Sequence, residues 1–315
     1  MSSYSRICTI LLLINENLVK SGCFYMLESP LTTQNIYRDT DMYKMKFNWT
    51  ATCRHDSDIV TPYGKFVPYN PNVKFLPLKL NYALNKTRKV AWFVSNCWAH
   101  NERLAYAQEL ARFIPVDIYG MCGHKECQRN EMAKCMKMLD KDYKFYLAFE
   151  NSYCEDYITE KLYDIGLKRN IVPIVLGARK EDYIRSAPPQ SFISVEDFNS
   201  SKSLAEYLHH LDKNDKLFNE FFRWKGTGEF VNTYFWCRLC ALLHDKRTYK
   251  YKYYEDIENW WNGPNTCSQT RWSQQNISSN IVEKPGKKMK TNRFDLLSFI
   301  FKLRVKFRQN FYFIL

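Results

Sequence analysis

Short apolar runs alternate with segments of helical periodicity through the middle of the chain. Four such runs have the length and composition of buried strands: Val90–Val94, Val116–Gly120, Phe145–Phe149 and Ile171–Leu176. Between the first two, Leu104, Ala107, Leu110 and Ala111 recur at the spacing of one helix face. Strands that alternate with helices in this way predict an α/β fold built on a mostly parallel sheet.

Two further elements extend the pattern toward the C-terminus. Ser191–Val195 is predicted to be a strand, and Ser203–Lys213 a helix capped by Ser201 or Ser203. On the N-terminal side, Phe47–Thr52 is typical of a strand and the polar stretch 81–89 of a linker. We therefore expect four regions, with boundaries at 1–84, 85–228, 229–280 and 281–315.

A polar cluster, Glu150-Asn151-Ser152, ends the third apolar run, and a helix opening with Tyr157–Lys161 follows. Strand, polar loop, helix and the next strand make a βαβ unit, in which ligands bind at the carboxyl ends of strands and the amino ends of helices. Lys161 lies in the first turn of that helix, where the helix dipole disfavours a cation unless an anion pairs with it. A phosphate group would remove this conflict.

The net charge of +13 on 315 residues invites a nucleic-acid partner, but its distribution argues against one. From residue 281 onward there are nine Lys and Arg against two acids, a net of +7, which is over half of the excess. No RRM, KH or zinc-finger pattern is present. In this tail, Phe301–Arg308 alternates apolar and basic residues, as an edge strand, a membrane-surface segment or a disordered extension could.

Eleven cysteines and four N-glycosylation sequons indicate the lumen of the secretory pathway. The sequons begin at Asn48, Asn85, Asn199 and Asn276. Near the N-terminus, the apolar run Ile7–Ile14 is far short of the ~20 residues that span a bilayer. It fits either a signal-peptide core or a buried strand.

The stretch FYLAFENSYCEDYITEKLYDIGLKRNIVPIVLG, residues 145–177, resembles the donor-binding signature of the α1,3-fucosyltransferases. The resemblance continues through Ser191–Phe198 and covers roughly residues 26 to 262. It implies the GT-B architecture, two Rossmann-like domains facing a cleft, with the first one incomplete in this chain. Residues 1–84 would be a partial acceptor-binding domain, 85–228 the GDP-fucose-binding domain, and 229–280 closing helices. The basic tail, 281–315, has no counterpart in the family.

The resemblance also implies a reaction: inverting transfer of L-fucose from GDP-fucose to a GlcNAc residue of a glycan, at the lumenal side of the Golgi membrane. Both core and antennal GlcNAc remain open as acceptors. No nucleic acid is expected to take part. No metal ion is expected to be required, since no Asp-x-Asp motif stands where a metal-diphosphate site would need one. The alternative is a catalytically inactive relative that binds GDP-fucose or glycans.

Individual roles follow from the matched motifs. Glu28, in Leu27-Glu28-Ser29-Pro30, matches the family's catalytic carboxylate and is the expected general base. Arg103 and Lys161 are expected to stabilise the diphosphate. Asn151 and Glu160 would bind ribose or fucose hydroxyls, with Glu150 and Ser152 shaping the same pocket.

Two tyrosines and one cysteine pair complete the predictions. Tyr63 and Tyr183 would pack against the donor, with core packing as the alternative. Cys237 and Cys240 form a single CxxC, too few ligands for a zinc site. The resemblance assigns this pair to structural disulfides.

Overall fold

The computed structural model of the chain describes residues 8–12, 21–33, 47–245 and 253–268. The basic tail and the sequon at Asn276 lie outside these residues. Within them, none of the helices combines the length and apolar character needed to cross a membrane.

Ten strands and eight α-helices organise the described residues. The strands are β1 Cys8–Leu12, β2 Ser21–Met26, β3 Trp49–Thr52, β4 Lys65–Pro68, β5 Arg88–Phe93, β6 Val116–Tyr119, β7 Tyr143–Phe149, β8 Val172–Leu176, β9 Ile193–Ser194 and β10 Gly228–Val231. The α-helices are α1 Pro30–Thr33, α2 Arg103–Leu110, α3 Met132–Asp142, α4 Lys180–Ser186, α5 Ser201–Asp212, α6 Asp215–Glu220, α7 Phe235–His244 and α8 Ile257–Asn262. A π-helix, Lys161–Leu167, joins β7 to β8, and short 3₁₀ helices cover Arg129–Glu131 and Val195–Asp197.

The larger sheet has the order β6-β5-β7-β8-β9, and all of its neighbouring strands are parallel. Its central strand β7 is buried along its whole length, and its side chains alternate between two cores. Phe145, Leu147 and Phe149 pack with α2 and α5 on one face. Tyr146 and Ala148 pack with α3 and the π-helix on the other. A parallel sheet covered on both faces explains the unbroken apolar runs of the sequence and confirms the predicted α/β class.

A smaller sheet, β1-β2-β3, is built from the N-terminal part of the chain. Strands β2 and β3 run parallel, whereas β1 pairs with β2 antiparallel. Helix α7 packs Leu239 and Leu243 against this sheet, and α8 packs Trp261 beside Phe24. The C-terminal helices therefore return to cover the N-terminal sheet, while β4 and β10 pair as a separate ribbon.

Three details differ from the sequence prediction. Helix α5 begins at Ser201 and is capped by Ser200, whose side chain accepts from the backbone N–H of Ser203. Ser203 bonds back to the cap in a capping box, so the serine predicted as a cap is its partner instead. The predicted helix at residue 157 begins only at Lys161, and the strand predicted at Ser191–Val195 is limited to Ile193–Ser194.

Disulfides join Cys97 to Cys122, Cys127 to Cys135 and Cys154 to Cys267. The prediction of a disulfide-bonded protein is therefore confirmed. Cys237 and Cys240, in contrast, are exposed free thiols on α7. Within the part of the chain that the structure describes, neither cysteine forms a disulfide, in contrast to the structural disulfides that the resemblance implied for them.

Candidate functional site

The site lies where the strand order of the larger sheet reverses. Strands β5 and β7 are neighbours, yet β5 continues to β6 on one side and β7 to β8 on the other. The connections that follow β5 and β7 therefore lead to opposite faces of the sheet, and at such a divergence a crevice is expected at the carboxyl edge. Ligands of open α/β sheets bind at such a switch point.

The loop after β5 is fastened to the end of β7 by two side chains. Arg103 donates from Nη1 to the carbonyl oxygen of Phe149 at 2.7 Å and from Nη2 to that of Asn96 at 3.2 Å. Asn101 Nδ2 donates to the carbonyl oxygen of Glu150 at 2.9 Å. Arg103 is only 4% exposed, and this burial lowers the pKa of its guanidinium. Arg103, which the sequence predicted to stabilise the diphosphate, thus also joins the loop after β5 to the end of β7.

The loop after β7 carries a buried carboxylate that faces Lys161. Glu150 accepts from the backbone N–H of Thr159 at 2.8 Å and from its hydroxyl at 2.8 and 3.0 Å, and it pairs with Lys161 Nζ at 3.0 Å. Lys161 also contacts Glu160 Oε1 at 3.2 Å. Burial raises the pKa of Glu150, an effect that the charge of Lys161 opposes. Burial likewise disfavours the cation of Lys161, but Glu150 and Glu160 outweigh it and raise the pKa of Lys161.

Glu28 reaches the same crevice from the smaller sheet. It follows β2 at that sheet's carboxyl edge, and its Oε2 accepts from the hydroxyl of Tyr157 at 3.4 Å. The neighbouring Ser29 bonds the hydroxyl of Ser152 at 2.7 Å, while Tyr63 donates to the carbonyl oxygen of Leu27 at 2.7 Å. The Leu27–Pro30 motif is therefore bound directly to the signature loop of the larger sheet.

Tyr157 was not among the candidates that the sequence supplied, although it lies within the signature. Burial, and after it the negative charges of Glu150 and Glu28, raise the pKa of its phenol well above the ordinary value. The hydroxyl consequently remains protonated and acts as a donor toward Glu28 over the whole physiological range. The position of Tyr157 within the signature was the available signal, but the contact itself depends on the second sheet.

Several buried polar atoms at this edge have no hydrogen-bond partner within the residues that the structure describes. They are Asn101 Oδ1, Arg103 Nε, Tyr146 Oη, Asn151 Oδ1 and Tyr183 Oη. Buried polar groups are normally satisfied, so a cluster of unpaired ones beside a crevice fits a site that receives a polar ligand.

Tyr63 and Tyr183 occupy different environments. Tyr63 is half-buried and supports the Glu28 motif through Leu27. Tyr183 is 1% exposed, lies in the core beneath the crevice and packs against Phe192. The core-packing alternative describes Tyr183 in this structure, and its contact with a donor stays a prediction.

A second contact between the sheets involves groups that the sequence did not single out. The backbone N–H of His55, which follows β3, donates to Asp156 Oδ2 at 2.8 Å. His55, Glu155 and Asp156 bring three possible metal-ligand atoms within 4.8 Å of one another. Arg185 already pairs with Asp156 at 2.6 Å, and a metal cation here would compete with that guanidinium. We therefore infer that the His55, Glu155 and Asp156 cluster joins the two sheets and does not hold a metal ion.

The glycosylation candidates differ in accessibility. Asn85 and Asn199 are exposed. Asn48 is half-buried, and its Oδ1 accepts from the backbone N–H of Gly22 at 2.8 Å. Glycosylation at all three positions stays a prediction.

These features define a class of protein: a doubly wound α/β protein with a buried Glu150–Lys161 ion pair at its switch point, faced by a carboxylate from a second sheet. The C-terminal model of glycosyltransferase family 10, the fucosyltransferases, matches residues 83–260, more than half of the chain. The chain belongs to this family, which confirms the resemblance read from the sequence.

Curated relatives agree with this assignment. The chain is 51% identical over 268 residues to glycoprotein 3-alpha-L-fucosyltransferase A of Drosophila melanogaster, covering 85% of this chain and 52% of that protein. It is 42% identical over 207 residues to the human 4-galactosyl-N-acetylglucosaminide 3-alpha-L-fucosyltransferase FUT6, covering 65% and 55%. The chain thus spans about half the length of the curated relatives it matches. A crystal structure of an alpha1,3-fucosyltransferase with GDP aligns with a TM-score of 0.44 at 17% identity, covering 63% of this chain and 68% of that one.

Proposed function

We propose that this protein is an inverting α1,3-fucosyltransferase that moves L-fucose from GDP-fucose to a GlcNAc residue of a glycan. The observation that carries the proposal is the meeting of Glu28 with the signature loop, through Tyr157 at 3.4 Å and through the buried Ser29–Ser152 pair. This contact brings a carboxylate to the crevice in which the family's donor signature lies. The name of the Drosophila relative supports fucose transfer to a glycoprotein, and that of the human relative supports an N-acetylglucosamine-containing acceptor.

The chemistry follows from the side chains present. An acceptor hydroxyl attacks the anomeric carbon of fucose from the face opposite GDP, so a new C–O bond forms as the bond to the phosphate oxygen breaks. Glu28 takes the proton of the attacking hydroxyl. The electron pair of the broken bond leaves on the diphosphate, where Lys161 and Arg103 offset the developing negative charge. With cations supplied by the protein, the reaction needs no metal ion.

We also place this reaction in the lumen of the Golgi apparatus, as part of protein glycosylation. Three disulfides support an oxidising compartment, because such bonds are rare in the cytosol. The exposed sequons at Asn85 and Asn199 are consistent with passage through the secretory pathway.

The test is GDP release from GDP-fucose in the presence of EDTA, with and without a panel of N-glycan and N-acetyllactosamine acceptors. The wild-type protein is compared with Glu28→Gln and with Glu229→Gln, a control that removes an exposed carboxylate on β10. Acceptor-dependent release that is lost only in Glu28→Gln supports the proposal and identifies the acceptor. GDP binding without turnover on any acceptor would instead identify an inactive relative. Turnover that EDTA abolishes would overturn the metal-independent mechanism.

A further inference from the structure

The ammonium group of Lys161 already has three acceptors within the protein. Its Nζ lies 2.8 Å from Thr159 Oγ1, 3.0 Å from Glu150 Oε2 and 3.2 Å from Glu160 Oε1. An ammonium has three N–H groups, so this set uses all of them. A phosphate oxygen can therefore bind Lys161 only by replacing one of the three.

The three acceptors are not equally replaceable. Glu150 and Thr159 are both fully buried, and the Thr159 backbone and hydroxyl are bonded to Glu150. The backbone of Glu150 is itself held at both ends, since its N–H donates to Leu176 and its carbonyl oxygen accepts from Asn101. The side chain of Glu160, in contrast, is 37% exposed. Of the three acceptors, Glu160 is therefore the one that can turn toward solvent at the lowest cost.

We propose that Glu150 is a positioning residue of the donor site: together with Thr159 it fixes two N–H groups of Lys161, so that the third meets the diphosphate when Glu160 withdraws. This inference rests on the proposed function, because it assumes that Lys161 binds the donor. Glu150 does not touch the donor in this scheme. Its effect passes entirely through Lys161.

Removing the charge of Glu150 has a defined consequence. In Glu150→Gln, the amide oxygen takes over the hydrogen bonds from Thr159. The NH₂ group then faces the ammonium of Lys161, so two hydrogen-bond donors point at each other. Lys161 loses its nearest carboxylate, and burial alone favours the neutral amine. Binding of GDP should weaken about tenfold, which corresponds to about 1.4 kcal/mol. Binding of guanosine, which has no phosphate, should not change.

The experiment is a double-mutant cycle on GDP affinity, measured by calorimetry with the wild-type protein, Glu150→Gln, Lys161→Met and the double variant. If Glu150 acts through Lys161, the double variant binds GDP within about twofold of Lys161→Met. Guanosine, titrated against all four proteins, reports whether the site has kept its shape. In addition, the affinity for GDP should decrease as the pH rises, and it should do so at a lower pH in Glu150→Gln than in the wild type, because Lys161 of the variant deprotonates at a lower pH.

The outcomes separate this inference from the proposed function. Wild-type affinity in Glu150→Gln, or an equal loss in both backgrounds, overturns the positioning role while leaving the donor site intact. Failure of the wild-type protein itself to bind GDP overturns the proposed function, and the inference with it. Should Glu150→Gln fail to fold, Thr159→Val removes the other fixed acceptor and leaves every charge in place. Reduced affinity for GDP with unchanged affinity for guanosine would then support the inference, and unchanged affinity for both would contradict it.

Discussion

Arg103 is bound to the protein before any donor arrives, and its replacement by lysine tests that interpretation. The guanidinium is 4% exposed and spans two carbonyl oxygens, Phe149 at 2.7 Å and Asn96 at 3.2 Å. These contacts join the end of β7 to the loop after β5. A lysine carries one nitrogen in place of the arginine fork and cannot occupy both donor positions.

The expected loss can be estimated from the two contacts. Hydrogen bonds from charged groups contribute about 1.5–3 kcal/mol each, and an orphaned buried acceptor adds a desolvation cost. If Arg103→Lys keeps one bond and loses the other, the free energy of unfolding should fall by about 3 kcal/mol. At about 2.1 cal/mol/K of unfolding entropy per residue, the melting temperature of a 315-residue chain should then decrease by about 4–5 °C.

Thermal unfolding of the protein with its disulfides intact measures this change, and GDP titration of the same samples measures binding. Arg112→Lys is the matched control, because the Arg112 side chain is 70% exposed and pairs with Glu109 on the surface. Its melting temperature should stay within about 1 °C of the wild type. If Arg103→Lys also melts within about 2 °C of the wild type, the two hydrogen bonds of Arg103 do not stabilise the fold, and the reasoning from these contacts is refuted.

Three further predictions concern the core and the links between elements. Tyr183→Phe removes a buried hydroxyl that has no described partner, so the chemical denaturation midpoint should stay the same or rise; a tenfold or greater loss of GDP-fucose affinity would instead support the donor contact. Replacing Cys154 and Cys267 together by serine should lower the free energy of unfolding by about 2–5 kcal/mol, since the bridge closes a loop with a sequence separation of 113. Burial would raise the pKa of Asp212, but its pairing with Lys89 at 2.7 Å helps to hold that pKa below the ordinary value. A carboxylate whose pKa is lowered by folding contributes stability above its unfolded pKa, and this contribution is lost as the pH falls through the folded pKa. Asp212→Asn should therefore cost about 1 kcal/mol at pH 7 and progressively less as the pH falls through the folded pKa of Asp212, as urea titrations across pH would measure.

The larger sheet could be predicted because the apolar runs that form its strands are visible in short segments of the sequence. Phe145–Phe149 and Ile171–Leu176 are apolar without interruption, and in the structure both β7 and β8 are buried along their whole length. Such runs arise when helices cover both faces of a parallel sheet. The polar residues that follow β7 were predicted to lie at a site for the same reason, since the carboxyl ends of parallel strands share one edge.

What the sequence could not supply depends on distances between remote segments. Cys122 and Cys127 are five positions apart, yet they pair with Cys97 and Cys135 respectively, and no spacing rule selects those partners. The contact of Tyr157 with Glu28 joins residues 129 positions apart and requires both sheets to be in place. A family resemblance identified Glu28 as the expected general base, but the bonds that hold the Leu27–Pro30 motif came only from the fold.

The net charge of the whole chain differs in sign from the formal charge at the candidate site. The chain carries +13, whereas the crevice brings together three carboxylates, Glu28, Glu150 and Glu160, and two cations, Arg103 and Lys161, for a formal sum of −1. A diphosphate is anionic, so surplus positive charge cannot be what attracts it. Its binding must instead depend on where the two cations are held and on which carboxylate can move aside. The proposed roles of a buried Glu150 that orients Lys161 and a partly exposed Glu160 that can leave it would meet this need.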